Sequence, residues 1–269
     1  MSHILNEAQL HSLNYLSINP QDWTAIIPAA GRGSRLKSHL PKILYPILGK
    51  PMLAWLSSLL KPLCGNFVFI VPPDERSKVE AALCPLISTD KHILLTQEYP
   101  KGTADAILRA KDKIYTKHSL IIWGDQIGIL PKTIKLCIQA HTTQSQYSLT
   151  FPTITKKHPY VHFVRNKDHT IINVKQTRNQ ELENIDIGEN DFGLFLFNTQ
   201  DLFKVLEQEA NTFLRQKETS QEFDLLQIIP SFDRSPWKTL TLKTGSEEET
   251  LGINSIEDAQ KMEIILKNR

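Results

Sequence analysis

Two glycines and three cations stand close together early in this chain: Gly31, Arg32, Gly33, Arg35 and Lys42. An apolar run, Ala25-Ile26-Ile27, leads into them. Small residues let backbone N–H groups approach an anion closely. Glycine also admits the positive-φ turns that aim successive N–H groups the same way. The cations add full charge where the loop offers only dipoles. Chemistry on a polyphosphate is what such a set could do, with Pro28, Ala29, Ala30, Gly31, Arg32, Gly33 and Ser34 as the expected cradle. A merely solvated side chain is an equal reading for Arg32, and Lys50 either orients the loop or is simply exposed.

The loop is not of the Walker type, because no Gly-Lys-Ser/Thr step follows it. It is not the dinucleotide G-x-G-x-x-G either, since Leu36 stands where the third glycine belongs. With Arg35, the Leu40-Pro41-Lys42 step and the Gly49-Lys50-Pro51-Met52 tail, it resembles the signature of the sugar-1-phosphate nucleotidyltransferases. The nearest pattern is the uridyltransferase domain of the bifunctional N-acetylglucosamine-1-phosphate enzymes. The resemblance spans Ala25 to the last helix and is densest before Asp125. It implies transfer of a nucleotidyl group from an NTP, UTP being favoured, to a sugar-1-phosphate. Arg35 is then the catalytic residue expected on the β- and γ-phosphates, and Lys42 the one on the α-phosphate or the sugar phosphate.

Asp125 closes an apolar run in Trp123-Gly124-Asp125. A carboxylate at a strand end can hold Mg²⁺ or simply cap a turn. By resemblance it is a magnesium ligand, and Leu251-Gly252-Ile253-Asn254 matches the late family segment that supplies an asparagine as its partner. From local pattern alone, Asn254 would be a helix N-cap. Gln97 stands five residues before Gly102-Thr103, the interval at which the family reads the nucleobase. Gly124, Gly102 and Thr103 complete the expected nucleotide set, although Thr103 also suits a helix start. The Gly-Thr-Ala-Asp-Ala version also occurs with other bases, so uracil is not fixed.

On the sugar side the chain departs from the family. Tyr160 is followed by Val161 where a glycine is the pattern, Lys175 falls near the position of a sugar-contacting glutamate, and Asp191-Phe192-Gly193 replaces an Asn-Thr-Gly step. Trp123, Tyr160, Lys175, Asp191 and Gly193 are the sugar-side candidates. Asp191 either binds a ligand hydroxyl or caps a turn. Two other readings stay open: cytidylyl transfer to a small phosphorylated alcohol such as phosphocholine, and a non-catalytic nucleotide-binding regulator. His158 and His162 are separated by Pro159 and read as a loop and a strand residue, and Glu247 to Glu249 as a solvated run.

Positioning these residues is the work of alternating strands and helices. Buried-strand candidates at Phe67–Val71, His92–Thr96 and Leu120–Trp123 alternate with helical stretches at Met52–Leu60, Ser77–Leu83, Thr103–Lys113 and Pro131–His141. This predicts an α/β fold: a Rossmann-like, mostly parallel mixed sheet flanked by helices, with ligands beyond the carboxyl ends of its strands. Short extended runs at Tyr147–Phe151, Val161–Arg165, Ile171–Gln176 and Leu194–Phe197 predict a small antiparallel sugar-side lobe. Helices are expected at Thr199–Glu209 and Ile256–Leu266, and loops at 216–221 and 245–250. Residues 1–22 read as an N-terminal helical arm, from Ile4, Leu5, Leu10, Leu13 and Leu16, and 23–269 as one nucleotidyltransferase domain.

The net charge of +2 argues against general nucleic-acid or membrane-surface binding. Cys64, Cys84 and Cys137 are scattered, which suits a cytoplasmic protein with buried, reduced thiols and no zinc site. Oligomeric state is not legible.

Overall fold

The computed structural model describes residues 3–11, 17–31, 33–177, 185–215 and 222–269. In chain order the strands are β1 (His3–Asn6), β2 (Trp23–Pro28), β3 (Pro46–Ile47), β4 (Lys50–Pro51), β5 (Asn66–Val71), β6 (His92–Thr96), β7 (His118–Ile122), β8 (Leu149–Lys157), β9 (Val161–Arg165), β10 (Ile171–Gln176), β11 (Ile187–Asp191), β12 (Leu194–Asn198) and β13 (Thr239–Lys243). The helices are α1 (Glu7–His11), α2 (Met52–Leu60), α3 (Arg76–Leu83), α4 (Thr103–Leu108), α5 (Pro131–Thr143), α6 (Thr199–Arg215), α7 (Leu225–Ile228) and α8 (Ile256–Lys267).

The main sheet follows the order β1-β13-β8-β12-β7-β2-β5-β6, with β11 added against β8. Only β12 and β11 run antiparallel to their neighbours; the other pairings are parallel. Continuous apolar runs fit this arrangement because helices cover both faces. Along β2, Ala25 and Ile27 enter one core cluster while Ile26 enters the other. β5 divides likewise, with Phe67, Phe69 and Val71 on one face and Val68 and Ile70 on the opposite one. The expected α/β fold is the observed one. The antiparallel lobe is the β9–β10 pair, lying beside β11.

Several expectations need correction. Residues 3–6 form a strand rather than a helix, pairing parallel with β13 from His3↔Leu240 onward. Helical structure at this end is the short α1, while Leu13 and Leu16 lie outside the described residues, as does the loop at 216–221. The helix begun at Thr103 stops at Leu108, and Lys111–Lys113 is a separate 3-10 turn. Glu249 is not solvated: it is 1% exposed, and its Oε2 accepts from Leu130 N–H at 2.9 Å and from Thr133 Oγ1 at 2.6 Å, so it caps the start of α5. Cys64 and Cys137 are buried free thiols whose pKa burial pushes up, but Cys84 is exposed. Among the described residues, no helix is long and apolar enough to cross a membrane.

Candidate active site

The strand ends place the motifs together. β2 ends at Pro28 and β7 at Ile122, and these neighbours are parallel, so the glycine loop and Trp123-Gly124-Asp125 leave the sheet at the same edge. Gly193, at the start of antiparallel β12, returns to that edge, its carbonyl accepting from Trp123 N–H at 3.0 Å. The late segment is clipped on by Ile253 N–H donating to the Asp125 carbonyl at 3.2 Å. These elements enclose a cavity of about 950 Å³, at the upper end for a ligand site and roomy enough for a nucleotide with a second ligand.

In the wall of that cavity lies a three-residue cluster. Lys42 Nζ donates to Asp125 Oδ2 at 2.5 Å and to Asn254 Oδ1 at 2.8 Å. Gly33 makes this possible: it sits at φ +59, and a Cβ there would lie 2.9 Å from Lys42 Cβ. The lysine stem therefore runs against a bare glycine Cα, and Gly33 shapes the site without lining it. Asn254 does not cap α8. Ser255 does, in a reciprocal capping box with Asp258, so the asparagine side chain is left for the cavity. Its amide nitrogen is 3.4 Å from the Gly252 carbonyl, which turns Oδ1 toward Lys42.

Asp125 and Asn254 fit the magnesium implied by the family. A carboxylate and an amide carbonyl are hard oxygen donors, and the two converge on one cation, the Lys42 ammonium, which acts as a stand-in ion. Magnesium commonly takes only one or two carboxylates and completes its shell with water and phosphate oxygens. Among the described residues no group of three His, Cys, Asp or Glu side chains forms a cage, so a protein-only site is not what is built here.

Arg35 lines the cavity, is exposed, and has no hydrogen bond or ion pair to any described residue. Pro28, Ala29, Gly31, Thr103, Trp123, Gly124, Tyr160 and Asp191 also line it, whereas Ala30, Gly33, Ser34, Gln97, Gly102, Lys175 and Gly193 do not. Arg32 lies outside the described residues. Lys50 is drawn onto α2, with its Nζ 4.5 Å from the Trp55 ring centroid and 3.0 Å from Ser58 Oγ.

Four of those displacements have clear causes. Gln97 is buried, and its Nε2 donates to the Gly102 carbonyl at 3.0 Å and to Asp105 Oδ2 at 2.8 Å, so that nitrogen braces the loop. Gly102, at φ +103, makes its close approach to the Phe223 backbone, where a Cβ would lie 2.3 Å from the carbonyl oxygen, not to a base. Lys175 points away because side chains alternate along β10, and the cavity receives Gln176 instead. Gly193 is a spacer: it has φ +66, and a Cβ would lie 2.5 Å from Trp123 Cδ1 and 2.6 Å from Gln126 Cγ.

Asp191 is the most perturbed group here. It is fully buried at the end of β11, and desolvation raises its pKa to about 6, against a small lowering by the Gly193 N–H that donates to Oδ1 at 2.6 Å. Residues that motif reasoning did not reach include Gln126, Lys156 and Asp224. Asp224 Oδ1 receives both the N–H and the hydroxyl of Thr103 at 3.2 Å, across 121 residues of chain, so no local spacing links them. His158 lines the cavity, while His162 sits in β9 accepting from Glu189 N–H at 3.0 Å.

The model of the MobA-like NTP transferase domain matches residues 25–183, more than half of the chain. The chain belongs to the MobA-like NTP transferase family. It is thus a nucleotidyltransferase, and the matched span covers the glycine loop, Lys42 and Asp125. Among curated relatives, the bifunctional protein GlmU of Acetivibrio thermocellus is 28% identical over 234 residues, 86% of this chain and 48% of that protein. GlmU of Clostridium perfringens is 29% identical over 252 residues, 91% of this chain and 52% of that protein. The chain spans about half the length of these relatives. The inositol-1-phosphate CTP transferase of T. maritima superposes with a TM-score of 0.66 at 15% identity, covering 93% of this chain and 97% of that one, which establishes the shared fold. Asn254 lies beyond the span matched by the family model, so its place in the site is carried by its contact with Lys42.

Proposed function

We propose that this NTP transferase joins an NTP, with UTP favoured, to a sugar-1-phosphate, releasing pyrophosphate and an NDP-sugar. The observation that carries the reading is the convergence of Lys42, Asp125 and Asn254 on one point in a cavity that Arg35 also lines, with no hydrogen bond or ion pair to any described residue. A phosphate oxygen of the acceptor forms a bond to the α-phosphorus, and the bond from the α-phosphorus to the bridging oxygen breaks. Arg35 receives the charge that develops on the departing pyrophosphate, and Lys42 leaves Asp125 for a phosphate oxygen at the reacting centre. Asp125 and Asn254 would hold Mg²⁺, which when bound supplies charge neutralisation at the phosphates. Gly31, which lines the cavity, would offer its N–H to the leaving group.

The test is pyrophosphate release with Mg²⁺, each of the four ribonucleoside triphosphates being paired with a panel of sugar-1-phosphates and with phosphocholine. Release that needs one NTP and one sugar-1-phosphate together supports the reading; release only with phosphocholine overturns it in favour of cytidylyl or related transfer. One observation favours that second reading: the Gln97 amide nitrogen is committed to Gly102 and Asp105, so the expected uracil reader is engaged elsewhere.

A further inference from the structure

One corner of the cavity wall carries a carboxylate that no described residue balances. Asp191 is buried, and its Oδ2 has no hydrogen-bond partner among the described residues. Gln126, whose Cγ packs against Gly193, is 6% exposed, and its Oε1 is also buried without a partner among the described residues. Trp123 and Gln126 pack closely against the turn at Gly193, leaving no room for a Cβ there. Among the described residues no cation reaches Asp191. Lys42 is held by Asp125 and Asn254, and Lys156 donates to Thr250 Oγ1 at 3.0 Å.

Both orphaned atoms are acceptors, so the missing partner is a donor. A buried carboxylate without a counter-charge costs several kcal/mol in general, and such groups persist in native proteins where a ligand completes them. A hydroxyl would supply one hydrogen bond and leave the charge uncompensated. An ammonium group supplies several donors together with the charge. Trp123 and Tyr160 line the same cavity, and aromatic rings attract a cation more than a neutral hydroxyl.

We infer that Asp191, seconded by Gln126, selects a phosphorylated acceptor bearing a protonated amine. The inference rests on the nucleotidyl-transfer reading and narrows its acceptor. Asp191 is here a specificity-determining residue, distinct from the Lys42–Asp125–Asn254 cluster.

Matched acceptors decide the matter: glucosamine 1-phosphate against glucose 1-phosphate, and phosphoethanolamine against ethylene glycol monophosphate. Each pair differs by an ammonium in place of a hydroxyl. Binding to the wild-type protein is measured by calorimetry, which does not depend on turnover, and pyrophosphate release is followed separately. In at least one pair the ammonium member should bind about 10- to 100-fold tighter. Asp191→Asn should bring that ratio close to unity while leaving NTP affinity unchanged. Equal or tighter binding of the hydroxyl members, binding of neither member of either pair, or a ratio that survives Asp191→Asn overturns the inference. If the variant does not fold, the wild-type comparison decides alone. Amine-selective binding without pyrophosphate release would sink the transfer reading and spare the assignment of Asp191 as an amine receptor.

Discussion

Lys42 Nζ lies 2.5 Å from Asp125 Oδ2, and the same nitrogen reaches Asn254 Oδ1 at 2.8 Å. A lysine thus occupies the point at which the two oxygen donors converge. Its ammonium and a divalent cation compete for one carboxylate, and that competition can be measured.

Replacing Lys42 by Met removes the competitor and leaves the donors. The Lys42→Met variant should lose about 100-fold or more in kcat, as loss of a transition-state cation does. In the absence of nucleotide it should bind Mn²⁺ more tightly than wild type, as read by electron paramagnetic resonance of free Mn²⁺. Weaker Mn²⁺ binding would remove the stand-in role from Lys42.

Asp125→Ala should abolish turnover to about a thousandth or less of wild type. It also frees Lys42 from its main partner and should weaken Mn²⁺ binding. Circular dichroism should be unchanged, because Asp125 sits at the cavity wall and its backbone carbonyl still receives Ile253 N–H. Retained activity would remove the carboxylate from the mechanism.

Gly102→Ala tests a backbone requirement rather than a chemical one. At φ +103 and ψ 167 the residue is in a region open almost only to glycine. The added Cβ would meet the Phe223 carbonyl oxygen at 2.3 Å. Strain of about 1–3 kcal/mol plus the clash predicts a fall in Tm of several degrees or more. A Tm within a degree of wild type would show that the loop can move away from Phe223.

Asp191→Asn should stabilise the fold near neutral pH. The carboxyl has a raised pKa of about 6 in the folded state, against about 3.9 in an unfolded chain. A raised folded-state value means that its contribution is most favourable below the unfolded value and is lost as pH rises through about 6. The variant's gain in Tm should therefore be largest at pH 7.5 and shrink toward pH 4. A gain independent of pH would assign the effect to packing instead.

Acid should act in the opposite sense through His118 and His141. The two rings contact each other and Trp23, with His118–His141 centroids 5.1 Å apart. Burial lowers their pKa values to about 4 and about 3. Their contribution is complete above about 6.5, the unfolded value, and is lost as pH falls toward the folded ones. Urea unfolding at pH 7.5 and pH 5 should show the loss, about 1.4 kcal/mol per pH unit for each proton taken up on unfolding. His141→Gln should flatten the slope; an unchanged slope would exonerate the pair.

Local pattern made much of this molecule legible. Apolar runs predicted the central strands because burial on both faces leaves no alternation to misread, and they placed the glycine loop and Asp125 at one edge of the sheet. Long-range partners were not legible. Nothing near Thr103 points to Asp224, and nothing in three consecutive glutamates singles out Glu249 for the start of α5. The slip from Lys175 to Gln176 has a simple origin, since a single-residue shift along a strand exchanges the two faces. One signal was available and unused: Ser255-Ile256-Glu257-Asp258 is a capping-box spacing, which would have assigned the cap to Ser255 and freed Asn254 at once.

Lys42 and Asn254 meet across 212 residues of sequence. The glycine loop is synthesised long before Asn254, so a nascent chain carries that loop well before the Lys42–Asp125–Asn254 cluster can form. Until the segment 251–254 docks against Asp125, that cluster lacks one of its two oxygen donors. Any early nucleotide binding would therefore act as a folding ligand before the protein is an enzyme.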